Sequence, residues 1–110
     1  MKGISMEWIL LIIAGLFETG WAIGLKYSDG LTRFYPMVFT VITLILSMYL
    51  LEKALRTLPV GTAYAVWTGI GIIGTTVLGI FLFNEPMNIT RIFFIGLIVV
   101  GIGGLKLVSA

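Results

Sequence analysis

The stretch Val60-Gly61-Thr62-Ala63-Tyr64-Ala65-Val66-Trp67-Thr68-Gly69-Ile70-Gly71-Ile72-Ile73-Gly74-Thr75-Thr76-Val77-Leu78-Gly79-Ile80-Phe81-Leu82-Phe83 runs for twenty-four residues without a formal charge. A helix needs about 20 apolar residues to cross a hydrocarbon layer about 30 Å thick. This stretch is therefore long enough to span a bilayer, and three others flank it. Residues 6–25 are apolar except for Glu7 and Glu18; residues 34–51 carry Pro36 in the first turn, where its missing N–H does no harm. Residues 88–107 hold Arg91 and Lys106 near their ends, close enough to snorkel to the interfaces. Most of the 110 residues are thus assigned to membrane crossings. The reading is an all-α membrane protein, one domain over 1–110 with four transmembrane helices per chain.

Composition agrees. Soluble chains carry about 25% charged residues, whereas this one carries 11%, with 59% hydrophobic residues and a mean hydropathy of +1.13. A water-soluble fold of this size has too little interior to hide so much apolar surface. With Cys and His both at 0, disulfides and thiolate or imidazole metal sites are excluded. No metal or other cofactor is expected. A net charge of +2 from seven scattered basic residues is too little for a nucleic-acid face. Lys2 followed by an apolar run resembles a secretion signal, but the acid in mid-run argues against that reading.

The connecting segments are short. Residues 26–33 contain the turn-favouring Asp29-Gly30 step, and residues 52–59 contain Glu52 and Arg56 at i,i+4 spacing. Residues 84–87 form a tight third loop. Four basic residues (Lys2, Lys53, Arg56, Lys106) belong to one side and three (Lys26, Arg33, Arg91) to the other. Such near balance gives no strong vote on orientation, and insertion in both directions, with head-to-tail pairing, is one consequence.

Glu18 is the one ionisable residue deep inside a span. A charged acid at a helix centre costs about 2.5–3.5 kcal/mol on insertion scales, so such residues face cavities and mark ion pathways. Desolvation favours the protonated carboxyl, which can hold a proton at rest and surrender it to an arriving cation. The structural alternative is a neutral acid bonded to a neighbouring helix. Gly15, Trp21 and Ala22 share its stripe: the small residues leave room and the indole offers a ring face and an N–H. Tyr64 and Trp67 stand three apart on one face of the third span. Aromatic faces beside a carboxylate suit a cation, at about 0.5–2 kcal/mol each. Trp8 and Tyr27 are read as interfacial belt residues, and the same role competes for Trp21.

Thr40, Thr43 and Ser47 are expected to bond back to their own i−4 carbonyls, with Ser47 the better candidate for orienting the carboxylate. Gly69, Gly71 and Gly74 either form a conformational hinge or permit close packing. Gly96, Gly103 and Gly104 present small surfaces for helix association, which predicts a dimer.

The chain resembles the small multidrug resistance family, and within it the guanidinium-exporting subtype, over nearly its whole length. The resemblance rests on Gly15-Leu16-Phe17-Glu18-Thr19-Gly20-Trp21-Ala22, on Leu25-Lys26-Tyr27-Ser28 through Gly30-Leu31-Thr32-Arg33, and on Pro59-Val60-Gly61-Thr62-Ala63-Tyr64-Ala65-Val66-Trp67-Thr68-Gly69-Ile70-Gly71. Trp21 is similar to the guanidinium subtype, whereas the multidrug subtype typically has a small residue there. Leu31 departs from the Phe common in that loop. The resemblance implies an antiparallel, dual-topology homodimer in a bacterial inner membrane. It also implies paired Glu18 carboxylates that bind guanidinium-type cations or protons, with Gly15, Trp21, Ser47, Tyr64 and Trp67 around them. Gly96 and Gly103 match the family's dimerisation motif. Proton-coupled export by alternating access follows. The alternatives are a broader exporter of quaternary ammonium and other lipophilic cations, a non-transporting membrane partner subunit, and, least favoured, a lipid-carrier flippase. An enzyme is not expected, because one acid without base, nucleophile or metal ligand offers no reaction.

Overall fold

The computed structural model describes residues 6–109; Lys2, counted among the loop charges, lies outside them. Four helices account for nearly all of it: α1 (Met6–Tyr27), α2 (Phe34–Leu55), α3 (Val60–Phe83) and α4 (Ile89–Ser109). No strand occurs among the described residues. Each helix is long and apolar enough to cross a membrane, and only a helix or a closed barrel can satisfy every backbone group in hydrocarbon. The expectation of an all-α membrane fold is borne out.

Helix ends follow backbone chemistry more than hydropathy. α1 continues through Lys26 and Tyr27, and α2 through Glu52 to Leu55, beyond the apolar stretches ending at 25 and 51. Polar residues at these positions do not interrupt the backbone ladder, and a helix protrudes past the hydrocarbon where its side chains meet water. Asn88 stands outside α4 as its N-cap: its Oδ1 accepts from the Arg91 N–H at 2.9 Å, which satisfies a donor that the first turn leaves free. Asn84 closes α3 in the left-handed region, φ 54°, with its N–H directed to the Gly79 carbonyl. The first loop turns through three successive positive-φ residues, Asp29, Gly30 and Leu31. Ser28 ties that turn down by donating to the Leu25 carbonyl at 2.7 Å and accepting the Leu31 N–H at 3.0 Å.

α1 packs against both α2 and α3, and α4 has α3 as its one backbone neighbour while its Ile102 and Leu105 side chains reach the core. The tight core occupies one end: Trp8, Leu11 and Ala14 of α1 meet Leu51 and Ala54 of α2 and Ala63, Val66 and Trp67 of α3. Burying Trp8 there overturns its reading as a belt residue; its ring is in the core and lies under Lys106 Nζ, 5.3 Å from the centroid. Lys106 therefore turns back over an aromatic face instead of snorkelling freely. Tyr27 is exposed and leans on Phe83, ring centroids 4.9 Å apart. Glu52 and Arg56 form the expected i,i+4 pair through two bonds of 3.1 Å, in a setting where solvent leaves such pairs little energy. α4 has no buried residue in its span. A helix apolar all round needs lipid or another helix against it.

Candidate functional site

Glu18 projects from the middle of α1 towards α3, and its carboxyl rests on the bare backbone of Gly71. A Cβ built at Gly71 would stand 2.7 Å from the Glu18 carboxyl carbon and collide with Oε1. One turn of α3 is thus a seat for the acid, and any side chain at position 71 would occupy it. Glu18 Oε1 is buried without a hydrogen-bond partner, and so are Trp21 Nε1 and Thr68 Oγ1. Trp21 is one turn beyond Glu18 on α1, and Thr68 one turn before Gly71 on α3, so facing stripes carry an acceptor, an indole donor and a hydroxyl. Buried polar atoms are nearly always bonded, and three orphans within one turn of Glu18 or of its seat at Gly71 need a reason. A cation that donates hydrogen bonds would satisfy the Glu18 carboxylate and the Thr68 hydroxyl oxygen and could pack against the Trp21 ring, but the indole N–H, a donor only, needs a separate acceptor.

Beside the acid, Thr19 divides one hydroxyl proton between the Gly15 carbonyl at 3.3 Å and the Gly71 carbonyl at 3.4 Å. It crosses from α1 to α3 at the level of the Glu18 seat. Sequence reasoning passed over Thr19, although a buried-type hydroxyl directly after the acid was the available signal. Gly15 does not leave room as expected; a Cβ there would stand 2.7 Å from Ile70 Cβ, so α3 already fills the space. Its role is to let α1 and α3 approach.

Ser47 behaves differently from the expectation on both counts. Thr40 and Thr43 do bond back to Pro36 and Phe39, at 2.7 and 2.8 Å. Ser47 instead donates across to the Ala14 carbonyl at 2.7 Å and accepts from Trp67 Nε1 at 2.9 Å. It therefore orients no carboxylate directly. Ala14 stands four residues before Glu18, so its carbonyl belongs to the turn that carries the acid. A carbonyl has two acceptor sites and can serve Ser47 without losing its helical bond. Trp67, buried on α3, thus fixes the Glu18 turn through α2. Tyr64 stacks at a tilt on Trp67, centroids 5.6 Å apart, and is 57% exposed in the single chain. Among the described residues, no hydrogen bond joins Tyr64 or Ser47 to the Glu18 carboxyl.

The three glycines considered for a hinge are all occupied. A Cβ at Gly69 would meet Ile102, one at Gly71 would meet Glu18, and one at Gly74 would meet Thr19. α3 runs unbroken through them. In this conformation they act as close-approach positions. Gly96, Gly103 and Gly104 have open space beside them, on the helix with no buried residue. No group of His, Cys, Asp and Glu among the described residues could hold a metal ion.

The family described as "Small Multidrug Resistance protein" matches residues 6–98. A protein of Yersinia pseudotuberculosis named guanidinium exporter is 55% identical over 104 residues, which cover 94% of this chain and all of the relative. One of Citrobacter freundii with the same name is 56% identical over 102 residues, 93% of this chain and 97% of the relative. One of Proteus vulgaris, again so named, is 52% identical over 104 residues, 94% of this chain and all of the relative. A match that takes in the Glu18 stripe, the Ser47 relay and the whole of α3 leaves one conclusion: this four-helix chain belongs to the Small Multidrug Resistance family.

Proposed function

We propose that the chain exports guanidinium-type cations in exchange for protons, with Glu18 as the group both ligands share. The observation that carries this reading is the Glu18 carboxyl, sunk at the middle of a membrane helix with one buried oxygen lacking a partner. The relatives named guanidinium exporter, matched over nearly their whole length, support the choice of cation. Guanidinium is planar, permanently charged and forked, so it pairs with a carboxylate through two parallel N–H bonds. An ammonium presents a single point and gains less from the same acceptor. The faces of Trp21, Tyr64 and Trp67 add ring-quadrupole attraction and exclude water.

The proton cycle follows from linkage. A carboxyl in hydrocarbon is more stable neutral, so the empty site holds a proton. Cation binding needs the carboxylate and releases that proton; protonation expels the cation. Each ligand weakens the other by the same factor. If the site changes sides only when loaded, an inward proton gradient drives the cation out. Two antiparallel copies would bring two Glu18 residues together and make the inward- and outward-open states equivalent by symmetry. The open glycine faces of α4 supply a surface for that homodimer, and the near balance of loop charges is compatible with insertion in both orientations in a bacterial cytoplasmic membrane. Gly69, Gly71 and Gly74 are where α3 would flex or slide, since no side chain there obstructs movement of Ile102, Glu18 and Thr19 across it.

Guanidinium flux in proteoliposomes with an imposed pH gradient tests the reading. The wild-type chain moves guanidinium against the proton gradient, and Glu18→Gln abolishes this while eluting at the wild-type size. Gradient-driven transport that survived in Glu18→Gln would reject it.

A further inference from the structure

One end of the bundle closes on the apolar core, whereas the other opens into a polar cavity. The cavity has a volume of about 190 Å³ and is lined by Lys26, Glu85, Arg91, Phe83, Ala22 and Thr75, among others. Its floor is close to the acid. Ala22 follows Glu18 by one turn on α1, and Thr75 follows Gly71 by one turn on α3. Thr75 donates to the Gly71 carbonyl at 2.8 Å. The cavity thus ends about one helical turn, roughly 5.4 Å along the axis, from the Glu18 seat.

Glu85 stands at the mouth. The left-handed cap at Asn84 turns the chain back, and the Glu85 N–H follows Asn84 in bonding the Gly79 carbonyl, at 3.3 Å. Its carboxyl folds over Gly79, where any Cβ would collide with it. Two cations attend it loosely: Lys26 Nζ is 3.4 Å from Oε2 and Arg91 Nη2 is 3.5 Å from Oε1. Both distances exceed the roughly 2.7–2.9 Å of a well-formed charge-assisted bond. Arg91 is held elsewhere, by Nη1 donating to the Pro86 carbonyl. Lys26 is the free member. Its ammonium lies over the Phe83 ring, 4.7 Å from the centroid, and its side chain is 58% exposed.

We propose that Lys26, Glu85 and Arg91 form a cation-exchange gate on the path to Glu18, in which a guanidinium-type cation displaces the Lys26 ammonium from Glu85. The proposal rests on the reading of Glu18 as the cation site. The swap replaces one positive charge by another, so Glu85 is never left unpaired. The incoming cation brings a fork that matches the carboxylate and a flat face for the Phe83 ring, while the lysine swings on its flexible stem into water. From there the cation descends one turn, past Ala22 and Thr75.

A purely structural ion pair makes a different prediction, because removing either partner breaks the same contact and shifts transport in the same direction. A gate predicts opposite signs. In proteoliposome uptake of guanidinium, Glu85→Gln raises KM about three- to fivefold and Lys26→Gln lowers it by a similar factor, the range for a part-exposed charge contact. Arg33→Gln, at the far end of the first loop and outside the cluster, leaves KM unchanged, which separates the gate from a general effect of surface charge. Shifts of one sign, no shift, or an equal shift in Arg33→Gln would overturn the gate. Should Glu85→Gln fail to fold, the sign of the Lys26→Gln shift against Arg33→Gln decides alone. If the wild-type chain carries no guanidinium, the Glu18 reading falls and the gate with it; wild-type flux with unmoved variants sinks the gate only.

Discussion

Trp67 donates its indole N–H to Ser47 Oγ at 2.9 Å, and the Ser47 hydroxyl donates in turn to the Ala14 carbonyl at 2.7 Å, so one hydroxyl joins three helices. The relay ends on the helical turn that carries Glu18, and its partners are buried.

Breaking the relay has a measurable cost. Ser47→Ala orphans the Trp67 N–H and lowers stability by about 1 kcal/mol, between the larger penalties of soluble cores and the smaller ones of membrane interiors. Trp67→Phe loses the same bond together with ring contacts. In a double-mutant cycle followed by denaturant titration in detergent, the pair costs less than the two single changes added together. Strict additivity would mean the bond is not formed in the folded protein.

Gly71→Ala places a methyl group where the Glu18 carboxyl sits. Overpacking of this kind costs about 1–3 kcal/mol, and here the acid is the side chain that must move. Guanidinium affinity, read by quenching of tryptophan fluorescence, falls about tenfold or more, the equivalent of at least about 1.4 kcal/mol. An affinity equal to wild type in a folded variant would show that the seat is not used in binding.

Asn84 closes α3 with φ 54° and also aims Glu85. Asn tolerates the left-handed region and Gly does so freely, whereas a β-branched residue does not. Asn84→Val therefore lowers thermal stability by about 1–2 kcal/mol and Asn84→Gly leaves it near wild type. Equal melting of the two variants would contradict the cap.

A Cβ added at Gly103 or Gly96 meets no atom within 4 Å, so a leucine there leaves the backbone into open space. Such variants keep the helical content of wild type in circular dichroism. They lose self-association in cross-linking at low protein-to-lipid ratio, because close backbone approach is what drives helix pairing in lipid. Undiminished cross-linking would remove these glycines from the interface.

Some of the site is legible along the chain and some is not. Glu18 stands out because an acid in an apolar run has few physical explanations. Thr40 and Thr43 could be read correctly because an i−4 carbonyl is always within reach of a helical hydroxyl. Ser47 has the same local option and does not take it, since packing brings Ala14 and Trp67 closer and in better line. The sequence around Trp8 points to a belt residue because nothing in one helix indicates that a second will cover its ring. Glu85 looked like a loop residue until the fold placed Lys26, 59 positions away in the chain, beside it.

Local composition alone specified four membrane crossings and an acid within the first, because transfer into hydrocarbon acts on each segment through its own side chains. Partner choice was settled by the tertiary structure: Glu18 on Gly71, Ser47 between Ala14 and Trp67, Glu85 between Lys26 and Arg91. Each depends on the depth and rotation at which helices meet. Apolar helices have many neighbouring registers of similar hydropathy, and only close packing at small residues, with the polar bonds it allows, selects one.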